Sequence, residues 1–191
     1  MTCQLTPLDI ALWLLWLLVS LAAFSVLWTG PLGAPWVPTA RRTVRKMLAL
    51  AEVGPGDVVY DLGAGDGRLL ILAAQEFGAR AVGVEIDPLR CLWIRLRVRA
   101  LGLQDRVRVI RGNFFDQDLS EADVVVMYLM QKTNERLMHK FWRELRPNTR
   151  IVSRAFVFPG WELAALDRDD HLYLYHMKEK PWEMVDVKRE T

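Results

Sequence analysis

Apolar and polar positions follow different periods along this chain, and the changes of period divide it into elements. The first run, "IALWLLWLLVSLAAFSVLW" from Ile10 to Trp28, has no period: it carries no charge and only two serines. About 20 consecutive apolar residues let a helix cross a bilayer, and no polar face suits this run to a half-buried helix. A cleaved signal peptide would start with basic residues and have a shorter apolar core, whereas Lys and Arg are absent before Ile10. The stretch reads as a transmembrane anchor, residues 1–29. "TGPLGAPWVP" follows and is too rich in Gly and Pro for a helix. Residues 30–38 are therefore a linker and residues 39–191 a folded domain.

In the domain the pattern becomes regular. Thr39 stands where an N-cap belongs, with Val44, Met47, Leu48 and Ala51 at helical spacing and Gly54-Pro55-Gly56 as the stop. Val58–Leu62 is a wholly apolar strand but for one acid, followed by a helix over Arg68–Phe77. The pattern repeats as strand Ala81–Glu85, helix Pro88–Leu101, strands Val107–Arg111 and Ala122–Leu129, helix Thr133–Leu145 and strand Arg150–Phe158. Strands alternating with helices imply a parallel α/β sheet with right-handed crossovers. The tail breaks the alternation: "HLYLYHMK" and "WEMVDVK", joined by "EKP", predict an antiparallel hairpin at the sheet edge.

Charge adds orientation more than partner. The chain has 25 basic and 23 acidic residues, net +2, so total charge gives no nucleic-acid footprint. The arginines at 90, 95, 97, 99, 106, 108 and 111 read as a solvated helix face and strand edge, and nucleic acid is not the expected partner. Asp9 is the only charge before the apolar run, and Arg41, Arg42, Arg45 and Lys46 follow it. The positive-inside rule then puts the domain in the cytoplasm, with Trp28 and Trp36 suited to the interface. Cys3 and Cys91 are placed unsuitably for a structural disulfide, and the scattered His139, His171 and His176 have no metal-ligand spacing. No metal is expected.

The chemistry is concentrated in "VVYDLGAGDGRLL", Val58–Leu70. A dinucleotide-binding turn reads G-x-G-x-x-G and offers N–H groups to a pyrophosphate. Here Arg68 replaces the third glycine, and Asp61 and Asp66 flank Gly63-Ala64-Gly65-Asp66-Gly67. Carboxylates so close repel a pyrophosphate but attract an ammonium or a sulfonium. Glu85 ends the next strand in "VGVEIDP", where an acid commonly receives ribose hydroxyls. Asp87 suits an N-cap before Pro88. In "GNFFD", Asn113 can bond an adenine edge while Phe114 or Phe115 lies on its face; plain core packing is the competing reading for Phe115.

"DLGAGDG", "GVEIDP" and "GNFFD", in this order and spacing, resemble the class I (seven-strand) S-adenosylmethionine-dependent methyltransferases. The resemblance covers nearly everything after Val58 and implies a Rossmann-like sheet of order 3-2-1-4-5-7-6. "PWVPT", "VVVMYLMQKTNERL" and "VSRAFVFPGW", with the amino-terminal apolar helix, are similar to the small membrane-anchored protein-lysine methyltransferases, whose mitochondrial members modify adenine nucleotide translocase and the ATP synthase c subunit. That family's roles, placed on matching positions, imply that Asp61, Gly63 and Gly65 hold the methionine end of S-adenosyl-L-methionine, Glu85 its ribose, and Asn113 with Phe114 its adenine. Tyr128 and Trp161 become the acceptor-side catalytic residues, Tyr128 aiming a lysine amine and Trp161 facing its methylated cation. Glu162 is either a proton acceptor or a solvated acid. The implied partners are the membrane, through the amino-terminal helix, and a membrane-protein lysine. A small-molecule, lipid or RNA methyltransferase, or a non-catalytic membrane adaptor, is the alternative.

Overall fold

A computed structural model of the chain describes residues 6–27 and 37–178, with all side chains there except those of residues 18 and 21–27. It comprises two compact units, Met1–Trp36 and Val37–Thr191. The first holds one helix, α1 (Pro7–Leu27), of 21 residues, about 32 Å at 1.5 Å per residue. Thr6 and Asp9 cap each other at its start: the Asp9 carboxylate accepts from Thr6 N–H (2.8 Å) and Thr6 Oγ1 accepts from Asp9 N–H (3.2 Å). Among the described residues no helix is long and apolar enough to cross a membrane, and the unbroken run of described α1 side chains ends at Leu17. Trp28 and Trp36 lie outside the described residues.

The second unit is a seven-stranded sheet of order β3-β2-β1-β4-β5-β7-β6, as the resemblance implied. Its parallel strands are β1 (Val58–Leu62), β2 (Arg80–Glu85), β3 (Val107–Arg111), β4 (Val124–Met127) and β5 (Arg150–Arg154). β1 and β4 are buried throughout, as strands covered on both faces must be. On one face α2 (Arg41–Leu50), α3 (Arg68–Glu76) and α4 (Pro88–Ala100) close a core that includes Leu48, Leu70, Ile94, Val59 and Val126. On the other, α5 (Gln131–Glu144) buries Leu137 and Phe141. Gly83 of β2 lets these layers approach, since a Cβ there would stand 2.4 Å from Leu70 Cδ1 and 2.8 Å from Ala64 Cβ.

Three expectations need correction. Thr39 does not cap α2; Ala40 holds that position without a side-chain bond, and Thr39 serves another purpose described below. β4 is shorter at both ends than Ala122–Leu129. β5 stops at Arg154 because Ala155 turns to φ 66°, and Ser153 Oγ donates to Phe156 O at 2.6 Å across the bend. Among the described residues an edge hairpin precedes the expected one. It joins β6 (Ala165–Asp167) to β7 (Leu172–His176), with β7 antiparallel to β5. Asp167 fixes its turn by accepting from Asp170 N–H at 3.0 Å. The second expected strand, 182–188, lies outside the described residues. Two of the four flanking cations are also paired within the unit, Arg45 with Glu76 and Lys46 with Asp167 and Asp170.

The crowding at Gly83 gives a test of the packing. Gly83→Ala should lower the unfolding free energy by about 1–3 kcal/mol, the usual cost of overpacking, in urea melts. An unchanged midpoint would show that Ala64 and Leu70 have room to move.

Candidate active site

The order of the sheet reverses between β1 and β4, and open α/β sheets bind ligands beyond the carboxyl ends of strands at such a switch point. Register brings three chain segments together there. Leu62 pairs with Met127 and Met127 with Ser153, so Gly63 and Tyr128 follow just past the ends of β1 and β4, next in register to Arg154, the last residue of β5.

The glycine turn is fastened to β2. Gly63 N–H and Ala64 N–H both donate to Val84 O (2.9 and 3.0 Å), and Gly67 N–H donates to Ala64 O at 2.8 Å. Gly65 N–H donates to Glu85 Oε2 at 2.8 Å. Gly63, Gly65 and Gly67 have φ of 91°, 58° and 74°, a region that side chains disfavour. A Cβ on Gly67 would also strike Ile94 Cγ2 at 2.6 Å. With these four N–H groups committed inside the protein, the turn lacks the row of free donors that a pyrophosphate requires.

The three nearby acids differ in their partners. Asp66 is held by the Arg68 guanidinium at 2.7–3.0 Å, with Arg97 at 3.9 Å. Its carboxyl stays below the usual range through those bonds, despite an opposing burial effect that is the largest single influence. Glu85 is buried, Oε2 on Gly65 N–H and Oε1 accepting from Asp87 N–H at 2.9 Å. Burial raises its pKa while those two bonds oppose the rise. Each oxygen keeps a lone pair for a further donor. Asp61 is 7% exposed and makes no hydrogen bond or ion pair with any described residue. Burial, then Glu85 and Asp66, push its pKa up to about 8. A buried carboxylate without a partner is costly, and a cationic ligand beside it would remove that cost.

The remaining expected residues divide. Asp87 caps α4 as expected, Oδ1 accepting from Leu89 N–H (2.8 Å) and Arg90 N–H (3.2 Å). Asn113 Oδ1 accepts from Phe115 N–H at 3.1 Å, capping a short 3-10 turn over Phe114–Asp116. An adenine edge would therefore meet its amide NH2 as a donor. Phe114 is buried against Phe115, ring centroids 4.9 Å apart, and Arg136 lies over the Phe115 ring at 4.3 Å. Tyr128 is half-buried beneath Arg154, whose Cζ is 4.5 Å from the ring centroid.

Trp161 is not brought to this group. Its ring stacks on Phe158 at 5.0 Å and meets Trp142 (5.6 Å) and Tyr175 (6.1 Å). Tyr175 pairs with Ile151, three residues before Arg154, hence about 10 Å below the carboxyl edge at 3.3 Å per residue. Aromatic packing has claimed the side chain. Glu162 is a solvated acid, its side chain 75% exposed and bridged to Lys178 at 2.6 Å. The Lys178 ammonium holds its carboxyl below the usual range.

Sequence reasoning missed a clamp. Arg68 Nη1 donates to Thr39 O, and Arg154 Nη1 donates to Thr39 Oγ1 at 2.9 Å. Thr39 thus ties the residue after the glycine turn to the residue above Tyr128; no local pattern marks such a contact. It also missed Asn134, whose Nδ2 donates to Ser153 Oγ at 2.9 Å while Oδ1 is buried without a described partner. An amide inside the apolar stripe of α5 was the available signal.

Comparison with known proteins bears directly on this arrangement. A family model described as "ANTKMT methyltransferase domain" matches residues 61–165. A protein-lysine N-methyltransferase of Saccharolobus islandicus (strain REY15A) is 46% identical over 128 residues, 66% of this chain and 80% of that protein. An adenine nucleotide translocase lysine N-methyltransferase of Mus musculus is 32% identical over 147 residues, 75% of this chain; the match spans 63% of the relative's length. The crystal structure of an RNA methyltransferase from Salinibacter ruber in complex with S-adenosyl-L-homocysteine matches at TM-score 0.73 and 40% identity, over 75% of this chain and 95% of that one.

Asp61 makes the ligand-free fold pH-sensitive in a definite direction. Its folded pKa of about 8 exceeds the ordinary 3.8, so the folded state binds the proton more tightly than the unfolded chain. Its contribution to stability is full at acid pH and is lost as pH rises through about 8. Asp61→Asn should therefore gain thermal stability over the unsubstituted protein progressively from pH 5 to pH 9, in paired melts. A difference that stays flat with pH would mean that Asp61 ionises freely.

Proposed function

The chain belongs to the ANTKMT methyltransferase domain family and is an S-adenosylmethionine-dependent methyltransferase; we propose that it methylates a lysine of a membrane protein while anchored by α1. The observation that carries the site is the unpartnered, buried carboxylate of Asp61 beside a turn whose N–H groups are already committed. Asp61, with close approach at Gly63 and Gly65, receives the cationic methionine end. Glu85 accepts from the ribose hydroxyls with its free lone pairs, and Asn113 with Phe114 holds the adenine.

The bound cofactor supplies a methyl on a sulfonium, with a thioether as a good leaving group. What remains for the protein is to position the acceptor and exclude water. A lysine acceptor, pKa about 10.4 in water, must first lose its proton, and an apolar setting near a positive charge lowers that pKa. Tyr128 accepts a hydrogen bond from the amine and aims it, with its ring steadied by Arg154. Trp161 has no acceptor role in this reading.

The acceptor class follows from the relatives named as lysine methyltransferases. The Salinibacter ruber neighbour favours RNA as a second reading, and the arginines of α4 and β3 would serve it. Against RNA, "MYLM" stands where many adenine methyltransferases carry Asn-Pro-Pro-Tyr. The anchor reading is supported by the 21-residue helix α1 and by its described apolar side chains, about half or more exposed at Ile10, Leu14, Trp16 and Leu17. Arg41 and Arg42, with no ion pair among the described residues, favour a cytoplasmic domain. A linker of residues 30–38 limits the reach from the anchor to about 35 Å and raises the effective concentration of membrane-bound acceptors.

Two measurements test this reading. In calorimetry S-adenosylhomocysteine should bind and NAD should not. Gly65→Val should abolish binding and Glu85→Ala should weaken it by about 1–3 kcal/mol for a lost charged hydrogen bond. Tight NAD binding would overturn the site.

The second concerns the acceptor. Mass spectrometry of membranes from cells with and without the enzyme should reveal a lysine whose methylation depends on it. Tyr128→Phe should slow that modification while leaving cofactor affinity nearly unchanged, because its hydroxyl aims the acceptor. A dependent mark on RNA or a lipid instead would replace the lysine reading.

A further inference from the structure

The methyl-transfer site leaves unexplained the outer face of α4. Cys91, Ile94 and Val98 are buried against the sheet, as an amphipathic helix requires. The opposite side should then be polar. Instead Leu89, Leu92, Trp93 and Leu96 form a ridge at i, i+3, i+4 and i+7, each more than half exposed. Four large apolar side chains in one exposed ridge mark a contact surface rather than scattered exposure.

The surroundings identify the occupant. From Pro88 to Arg111 the chain has seven arginines and a single acid, Asp105. Arg95 and Arg99 lie one turn apart beside the ridge. Below them is a shallow groove of about 390 Å³ between α4 and the edge strand β3, lined by Leu92, Leu96, Val107, Val109 and the two arginines. Arg111 follows on the same strand face as Val107 and Val109. Arg99 and Arg111 are exposed and form no ion pair with any described residue, and Arg95 gives one hydrogen bond to Val109 O at 3.3 Å. On the far flank Arg90 and Arg97 are engaged by Glu85, Asp87 and Asp66.

We propose that this face of α4 seats on an anionic bilayer surface. Leucines and a tryptophan that enter the headgroup region, with arginines alongside to meet lipid phosphates, are the composition of an interfacial helix. The long arginine stems let the guanidinium groups stay in the headgroup layer while the ridge sinks deeper. RNA would use the arginines but leave the leucines in water. A second copy meeting the same patch across a two-fold axis would set arginine against arginine with no acid between. The proposal stands apart from both the anchor and the lysine reading.

The test uses the full chain with Cys3→Ser and a fluorophore on either Leu92→Cys or, for the anchor, Leu14→Cys; Cys91 is buried and takes no label. Vesicles are phosphatidylcholine with or without phosphatidylglycerol, and quenchers are lipid-borne or aqueous. In anionic vesicles the label at 92 should be quenched from the lipid and shielded from water; in neutral vesicles it should not. Replacing Arg95 and Arg99 by Gln should lower the docked-to-free ratio about 30-fold, at the usual contribution per surface arginine, with affinity for S-adenosylhomocysteine unchanged. A water-exposed label at 92 in anionic vesicles, with the label at 14 in lipid, overturns the proposal and leaves the anchor standing. The reverse pattern sinks the anchor and keeps the proposal. Shielding that follows protein concentration in detergent, or appears only with added RNA, assigns the face to a second copy or to nucleic acid and also overturns it.

Discussion

The structure of the site depends on one fastening, the hydrogen bonds from Gly63, Ala64 and Gly65 to the end of β2. Two of them share Val84 O and the third ends on the Glu85 carboxylate. They draw the turn across the neighbouring strand, which requires positive φ at the glycines and a missing side chain at Gly83. They also settle the electrostatics. A turn whose donors point into its own protein presents carboxylates rather than N–H groups, which disfavours a phosphate.

Three acids within a few residues of one turn would normally destabilise it, and the chain treats each differently. Asp66 is compensated outright by Arg68 and Arg97, and Glu85 is half-engaged by backbone N–H groups. Asp61 is left uncompensated in a buried position. That last choice costs stability in the free protein at neutral pH and above, in the manner of sites that hold strain until the ligand arrives.

How far all this was legible in the sequence depended on whether the signal was local. β1 and β2, buried almost throughout, announce themselves as nearly continuous apolar runs, and the edge strand β3 as valines and an isoleucine set between arginines; all three were found nearly to the residue. The acids near the ends of β1 and β2, Asp61 and Glu85, were likewise visible, and Asp87 was recognisable as a cap from Pro88. The sheet order came from resemblance, since no period in the chain encodes it. What failed was non-local or short. β6 has three residues, too few for alternation to register. Trp161 looked like an acceptor-side residue because it follows Pro159-Gly160, but its position is set by Phe141, Phe158 and Tyr175, which come from other elements. Asn113 was assigned to a ligand without its duty to Phe115 N–H, an ordinary demand of a turn at that place.

Thr39 shows what such non-local contacts add. As a cap it would have served only α2; as built, its carbonyl receives Arg68 and its hydroxyl receives Arg154. Arg68 begins α3 directly after the glycine turn and pairs with Asp66. Arg154 ends β5 and covers the Tyr128 ring. One residue near the start of the domain therefore connects the glycine turn with the arginine that covers Tyr128. A shift of Thr39 would loosen Asp66 from one side and Tyr128 from the other, two groups separated by 62 positions in the chain. The segment Val37–Ala40 is on this account fastened both to the glycine turn and to the carboxyl end of β5.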